Sequence, residues 1–208
     1  MLGTGFNKVV FCPNLAQVNQ NKKMSLTPSN MIPLGSPAPD FTLIDVVSGQ
    51  LVSLNTLKGA EATVIMFICN HCPYVKHINP ELTRLANNYL AKDVSFVAIS
   101  SNDVIAEPED SPANMKKVAA ELKYPFPYLF DETQRVAKAY DAACTPDFFV
   151  FDKNMLLAYR GQLDDSRPSN NIPLSGNDIR TALDALLNGT KVSPRQRPSI
   201  GCNIKWKK

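Results

Sequence analysis

A buried strand followed at once by two closely spaced cysteines and a helix is the feature that most constrains this chain. Residues 62–68 are apolar and rich in β-branched side chains, which predicts a buried strand. After Pro73, apolar residues recur at three- and four-residue steps, which is helical spacing. Cys69 and Cys72 therefore fall where a strand ends and a helix begins. A helix N-terminus has free N–H groups and a positive dipole end, so it stabilises a thiolate, the reactive form of cysteine.

The length and composition fit one globular domain with additional chain. The protein has 208 residues, of which 44% are hydrophobic, enough to form a core. No apolar run approaches the roughly 18 residues of a membrane span, and the first residues lack the apolar segment of a secretory signal. We therefore expect a cytoplasmic protein with no membrane partner. The five cysteines are scattered, which does not suggest a disulfide-stapled fold.

The periodicity divides the chain into three regions. Residues 1–35 show no sustained period and are expected to be a flexible extension, in which Met24 could be the true start and Cys12 is incidental. Residues 36–188 are expected to form the folded domain. Residues 189–208 form a basic tail, with six Lys or Arg side chains and no acid. A solvated tail is the simpler interpretation of that charge, so no nucleic-acid partner is expected.

Within residues 36–188, strand and helix patterns alternate. The turn at 153–154 is too short for anything but an antiparallel pair of strands. The order predicts an α/β fold with a central mixed sheet flanked by helices and an N-terminal β-hairpin. The predicted strands cover 41–44, 51–54, 62–68, 94–100, 126–130, 147–152 and 155–160, and the predicted helices cover 55–59, 73–91, 112–123, 132–140 and a last one from about 177 to 187.

The order of strand, CxxC and helix, followed by Thr145-Pro146 ahead of an apolar strand pair and a last helix, resembles the thioredoxin-like fold. The opening Pro37-Ala38-Pro39-Asp40-Phe41 with its hairpin is similar to the redoxin (AhpC/TSA) branch of that superfamily. This branch includes peroxiredoxin-like proteins and thiol-disulfide reductases. The resemblance covers about residues 36–188.

The resemblance implies a role for each residue of the motif. Cys69 matches the more exposed, attacking cysteine, and Cys72 matches the resolving cysteine. Pro146 matches the cis-proline of this fold, where the backbone of Thr145 would pair with a substrate strand. The pKa of Cys69 should then fall below its ordinary value. His71 is either protonated, which would lower that pKa further and make the dithiol more oxidising, or simply exposed to solvent.

The sequence thus predicts a thiol-disulfide oxidoreductase that acts on protein or small-thiol substrates, takes electrons from a thiol donor and needs no cofactor. Cys144, two residues before Pro146, is either a third redox thiol or a buried small apolar residue. Cys202 lies in an apolar and aromatic phrase of the tail, which suggests that this phrase docks onto the domain. If it docks near Cys69, Cys202 could resolve a mixed disulfide.

A peroxiredoxin-like peroxidase with antioxidant activity is the first alternative. Cys72 and the proline after it match the peroxide-reducing cysteine of that class, but Cys69 replaces the usual Thr. The arginine that polarises the peroxide is also missing, because Pro146 occupies its place. Arg160 and Arg167 are the only nearby substitutes.

Two further alternatives remain open. The spacing of Cys69, Cys72 and His77 is C-x2-C-x4-H, and Cys144 or Cys202 could complete four ligands of a metal. No second CxxC accompanies this set, so no metal is expected. The other alternative is a thioredoxin-like binding module whose thiols are idle.

Overall fold

The computed structural model describes Met1 and residues 26–208, which contain ten strands and five α-helices. The suggestions about Met24 and Cys12 fall outside the described residues. Every predicted element is present, with ends shifted by at most a few residues. The strands are β1 (Leu26–Pro28), β2 (Thr42–Asp45), β3 (Leu51–Ser53), β4 (Ala62–Phe67), β5 (Val94–Ser100), β6 (Tyr128–Phe130), β7 (Cys144–Thr145), β8 (Asp147–Asp152), β9 (Leu157–Gly161) and β10 (Ile200–Asn203), and the helices are α1 (Leu54–Leu57), α2 (Pro73–Leu90), α3 (Pro112–Glu121), α4 (Arg135–Ala139) and α5 (Asn177–Leu187).

A seven-stranded mixed sheet forms the centre of the molecule, in the order β3-β2-β6-β5-β4-β8-β9. β4 runs parallel to β5 and antiparallel to β8. All six residues of β4 are buried, because the strand is central and both faces of the sheet are covered. The predicted α/β fold with a central mixed sheet and flanking helices is confirmed.

Alternating side chains of β4 belong to two hydrophobic clusters, one on each face of the sheet. Val64 and Met66 pack with residues of α2, α3 and α5. Ile65 and Phe67 pack with residues of α1 and α4. Among the helices of the described residues, none is long and apolar enough to cross a membrane.

A small second sheet, which the sequence did not predict, joins the two ends of the described chain in the order β1-β10-β7. Leu26 on β1 pairs with Cys202 on β10, and Cys202 pairs in turn with Thr145 on β7, both antiparallel. The prediction of a flexible extension is therefore wrong for the residues of β1, because they pair with β10. The basic tail likewise contains an ordered strand.

Candidate active site

The two motif cysteines lie between the end of β4 and the start of α2. β4 ends at Phe67, and the chain continues through Cys69 to Cys72, which is the N-cap residue of α2. Pro73 takes the first helical position, where its missing N–H removes no intrahelical hydrogen bond. Cys72 therefore lies at the positive end of an 18-residue helix.

Both thiols contact Thr145, which precedes a cis peptide bond to Pro146. Sγ of Cys69 lies 3.2 Å from Oγ1 of Thr145. Sγ of Cys72 lies 3.2 Å from the carbonyl oxygen of Thr145. The pairing of β4 with β8, which follows Pro146, holds this loop against the motif. The structure thus brings the four residues together in one site.

Cys69 is not the exposed cysteine that the resemblance implied. Only 1% of its surface is accessible, and Cys72 is fully buried. Burial, the hydrogen bond with Cys72 and the negative charge of Asp110 raise the pKa of Cys69 well above its ordinary value. The prediction that this pKa would fall is wrong, because burial next to an acid outweighs the effect of the helix dipole.

Cys72 is the cysteine at which the structure favours a thiolate. Hydrogen bonds from the thiols of Cys202 and Cys69 lower the pKa of Cys72, and the backbone N–H of Val75 in the first turn of α2 contributes in the same direction. Burial opposes these effects, but it raises the pKa of Cys72 by less than the two thiol hydrogen bonds together lower it. The electrostatics therefore favour a thiolate at Cys72 over one at Cys69.

His71 is held by a buried carboxylate and does not extend freely into solvent. Its Nδ1 lies 2.6 Å from Oδ2 of Asp110, whose side chain is fully buried. Burial lowers the pKa of His71, but the hydrogen bond and the charge of Asp110 raise it by more. For Asp110, burial raises the pKa, whereas hydrogen bonds and the charge of His71 lower it by more. Both pKa shifts favour the pair of an imidazolium and a carboxylate.

Asp110 is a residue of the candidate site that the sequence analysis did not identify. Oδ1 of Asp110 accepts hydrogen bonds from the backbone N–H groups of Asn70 at 2.8 Å and His71 at 3.1 Å. Oδ2 accepts a third from Nδ2 of Asn102 at 2.7 Å. The carboxylate thus fixes the two inner residues of the motif. Asn102 follows β5, and the C-terminal ends of the parallel strands β4 and β5 lie side by side. This shared edge of the sheet is the signal by which the sequence could have placed Asn102 near the CxxC.

The side chain of Asn70 anchors the motif a second time. Its Oδ1 accepts a hydrogen bond from the hydroxyl of Tyr128 at 3.2 Å, and its Nδ2 donates to the carbonyl oxygen of Glu109 at 2.7 Å. Tyr128 is buried on β6. The segment between the two cysteines is therefore fixed by both backbone and side-chain contacts.

The C-terminal strand covers the thiols. Cys202 on β10 is 2% exposed, and its Sγ lies 2.7 Å from Sγ of Cys72. The predicted docking of the tail phrase is confirmed, although this sulfur contact is with Cys72 and the sequence had suggested Cys69. β10 also takes the edge of Thr145 that was expected to be open to a substrate strand.

Two other predicted candidates, Cys144 and Arg160, are fully buried. Cys144 is fully buried, and its Sγ lies 3.5 Å from the carbonyl oxygen of Pro146. Burial raises the pKa of Cys144, which fits a small apolar residue better than a redox thiol. Arg160 is also fully buried and pairs with Asp147 at 3.2 Å.

Arg167 hydrogen-bonds to nearby loop atoms, among them the carbonyl oxygens of Asp164 and Ser166. In the part of the chain that the structure describes, neither Arg160 nor Arg167 hydrogen-bonds to a cysteine of the motif.

The predicted metal set is not assembled. Nε2 of His77 lies 2.8 Å from Oγ of Ser166. Among residues 26–208, the group whose donor atoms converge is Cys69, His71 and Asp110. The 2.6 Å between the imidazole and the carboxylate is a hydrogen bond. It is shorter than the about 3.3 Å that separates two tetrahedral ligands bonded at about 2.0 Å.

The mixed sheet, the cis-proline loop and a dithiol at a helix N-terminus define a thioredoxin-like protein. The chain belongs to the AhpC/TSA family, whose model matches residues 34–160. No sequence among the curated proteins matches the chain.

Two similar crystal structures cover nearly the whole described chain. One is an uncharacterized conserved protein from Geobacillus kaustophilus, with 65% identity over 88% of this chain and 97% of that one, at a TM-score of 0.87. The other is a hypothetical protein from Sinorhizobium meliloti, with 46% identity, 87% and 98% coverage and a TM-score of 0.85. A putative thiol:disulfide interchange protein from Chlorobium tepidum shares the fold, with 21% identity, 76% and 99% coverage and a TM-score of 0.61.

Proposed function

We propose that the protein is a cytoplasmic thiol-disulfide oxidoreductase that exchanges disulfides of protein or small-thiol substrates through Cys69 and Cys72. The observation that carries this proposal is the contact of both sulfurs with Thr145 at 3.2 Å, at the N-terminus of α2. Thiol-disulfide exchange needs one thiolate and a second thiol within reach. A thiol donor would return the electrons.

The electrostatics support an order of attack that is the reverse of the one implied by the resemblance. The Cys72 thiolate attacks one sulfur of the substrate disulfide, and the first substrate thiolate leaves. Cys69 then attacks Sγ of Cys72, and its proton passes to the second leaving thiolate. The products are a Cys69–Cys72 disulfide, one substrate thiolate and one substrate thiol. The support is the lowered pKa of Cys72 and the raised pKa of Cys69.

Peroxide reduction is the second candidate, and one observation favours it. Cys72 is a helix N-cap followed by a proline, and its thiolate is stabilised, as a peroxide-reducing cysteine requires. In this reaction Cys72 would take one peroxide oxygen as a sulfenic acid, and Cys69 would condense with it to release water. The missing arginine contact makes disulfide exchange the stronger candidate.

The test compares disulfide reduction and hydroperoxide consumption in the same preparations, with dithiothreitol as donor and insulin as the disulfide substrate. Cys72→Ser should reduce insulin turnover to background, and Cys69→Ser should lower it by a smaller factor, because the mixed disulfide loses the resolving thiol of the motif. Cys12→Ser is the matched control for loss of a cysteine and should retain activity.

Two results would contradict the proposal. Insulin reduction that persists in both Cys69→Ser and Cys72→Ser would show that the motif is idle. Peroxide turnover that exceeds insulin turnover, survives Cys69→Ser and disappears in Cys72→Ser would favour the peroxidase.

A further inference from the structure

The strand β10 occupies the position that a substrate strand would take. It pairs antiparallel with β7, with Cys202 opposite Thr145 and Asn203 opposite Cys144. The approach is close enough to need a glycine, because a Cβ on Gly201 would lie 2.0 Å from the carbonyl oxygen of Thr145. The backbone edge next to the cis-proline is thus filled by the protein's own chain.

This strand is held on both sides and beyond its end. β1 pairs along its other edge. The backbone N–H of Ile204 donates to the carbonyl oxygen of Ala143 at 3.2 Å. Lys205 donates from its backbone N–H to Oδ1 of Asn102 at 2.8 Å, and its carbonyl accepts from Nε2 of Gln134 at 2.8 Å. Cys202 is therefore held by backbone pairing along both edges of its strand.

The sulfur atoms of Cys202 and Cys72 are close to bonding distance. Sγ of Cys202 and Sγ of Cys72 lie 2.7 Å apart. A disulfide bond measures about 2.05 Å, so an approach of about 0.7 Å would join them. Hydrogen bonding to the Cys72 thiolate, followed by burial, raises the pKa of Cys202, so this thiol keeps its proton while Cys72 stays reduced.

We propose that Cys202 is a third redox-active cysteine, which forms a disulfide with Cys72, and that β10 is an internal stand-in for the substrate strand. This inference rests on the proposed disulfide exchange and names a further residue of the same site. A substrate strand would displace β10 to reach the thiols, and the return of β10 would bring Cys202 back to Cys72.

The exchange balances in two ways, with a substrate disulfide as the oxidant. When Cys72 is joined to a substrate sulfur, Cys202 attacks Sγ of Cys72, and the substrate leaves with the bonding electron pair and takes the proton of Cys202. When Cys72 is joined to Cys69, the same attack releases Cys69 as the leaving thiol and changes no overall oxidation state. The second route yields a reduced Cys69 in a protein that stays oxidised.

The experiment follows the mixed disulfide on Cys72 with 5,5′-dithiobis(2-nitrobenzoate) as the probe. The full chain carrying Cys69→Ser is reduced, mixed with the probe, quenched in acid, alkylated and digested with trypsin. Cys72 and Cys202 then lie in the separate peptides 59–76 and 196–205, and Cys144 lies in a third. The matched variant carries Cys69→Ser together with Cys202→Ser.

In Cys69→Ser, we expect the probe adduct on Cys72 to be replaced by a disulfide between peptides 59–76 and 196–205. In the double variant, the adduct should persist at least about tenfold longer, because no thiol resolves it. The linked peptide in Cys69→Ser supports the inference even if the double variant folds poorly.

The outcomes separate this inference from the proposed function. If the adduct forms on Cys72 but persists equally in both variants, or is resolved by Cys144, Cys202 is a packing residue and only the inference fails. If Cys72 forms no adduct in either folded variant, disulfide exchange at this site fails, and the inference fails with it.

Discussion

Asp110 shows how a single buried carboxylate can organise a motif from outside it. It accepts four hydrogen bonds, and three of them come from Asn70 and His71 inside the CxxC. A buried charge of this kind is tolerated only when its acceptor positions are satisfied. Burial and the hydrogen bond with Cys72 raise the pKa of Cys69, and the charge of Asp110 adds to them. Asp110 therefore fixes the geometry of the motif and contributes to the raised pKa of Cys69.

The ion pair of His71 and Asp110 predicts a pH-dependent stability. The folded-state pKa of His71 is raised, so its contribution is complete below the unfolded value of about 6.5 and is lost as the pH rises through the folded value. The folded-state pKa of Asp110 is lowered, so its contribution is present above about 3.9 and is lost as the pH falls through the folded value. The pair is therefore strongest between these limits.

His71→Gln should lower the free energy of unfolding by about 1.5–3 kcal/mol near pH 5.5 and by less in alkaline solution, since it removes a hydrogen bond between charged groups. Urea denaturation at several pH values measures this difference. His77→Gln is the matched control, because His77 meets a serine hydroxyl. A His71→Gln deficit that does not decrease as the pH rises would contradict the charged pair.

At the scale of elements, β10 explains why the two thiols of the motif are buried. β4 and α2 place the cysteines at an edge of the fold, and β10 covers them through its pairing with β7. The cover is a short strand, so it can be removed without opening the central sheet. We infer that access to the thiols depends on the docking of this strand.

Gly201→Ala should expose the thiols. Its Cβ would lie 2.0 Å from the carbonyl oxygen of Thr145, so β10 must shift or detach. Overpacking of this kind costs about 1–3 kcal/mol, which would raise the rate of Cys72 alkylation by iodoacetamide by about 5- to 150-fold if the strain falls on the docked strand.

The control is Ile200→Ala on the same strand. Its side chain is 38% exposed, so the substitution keeps the backbone pairing and should change the rate of Cys72 alkylation much less. If folded Gly201→Ala reacts no faster than the wild type, the strand does not control access to the thiols.

The main elements could be predicted from the sequence because each of them buries an apolar face with a regular period. β4 is a continuous apolar run, and α2 carries a helical stripe, so local residues determine both. The short strands β1, β7 and β10 have no such period. Their pairing depends on contacts such as Leu26 with Cys202, which lie far apart in the chain.

The same distinction applies to the site. The CxxC and the Thr-Pro pair are local motifs, and the sequence alone was enough to find them. The burial of Cys69 and the part played by Asp110 depend on segments that come from elsewhere in the chain. The sequence therefore predicted that the CxxC meets the Thr-Pro pair, but neither the carboxylate beside them nor the pKa shifts at the site.

At the scale of the whole molecule, the two sheets should open independently. The central sheet is buried on both faces, whereas the sheet of β1, β10 and β7 contributes Cys202 to one of the two hydrophobic clusters, and Ile204 just beyond β10 belongs to the other. Regions with fewer buried apolar contacts open locally at a lower free energy than the global unfolding. Opening of the small sheet would uncover Cys72 while the core stays folded.

Native-state hydrogen exchange tests this expectation. The amides of Cys202 and Ile204 should exchange at a lower opening free energy than those of Val64 and Ile65, which should exchange only on global unfolding. The opening free energy obtained from alkylation of Cys72 should match that of the β10 amides, because both report the same event. If Cys72 is alkylated only at the free energy of the β4 amides, a substrate reaches the thiols only through unfolding of the domain, and the strand is a fixed part of the core.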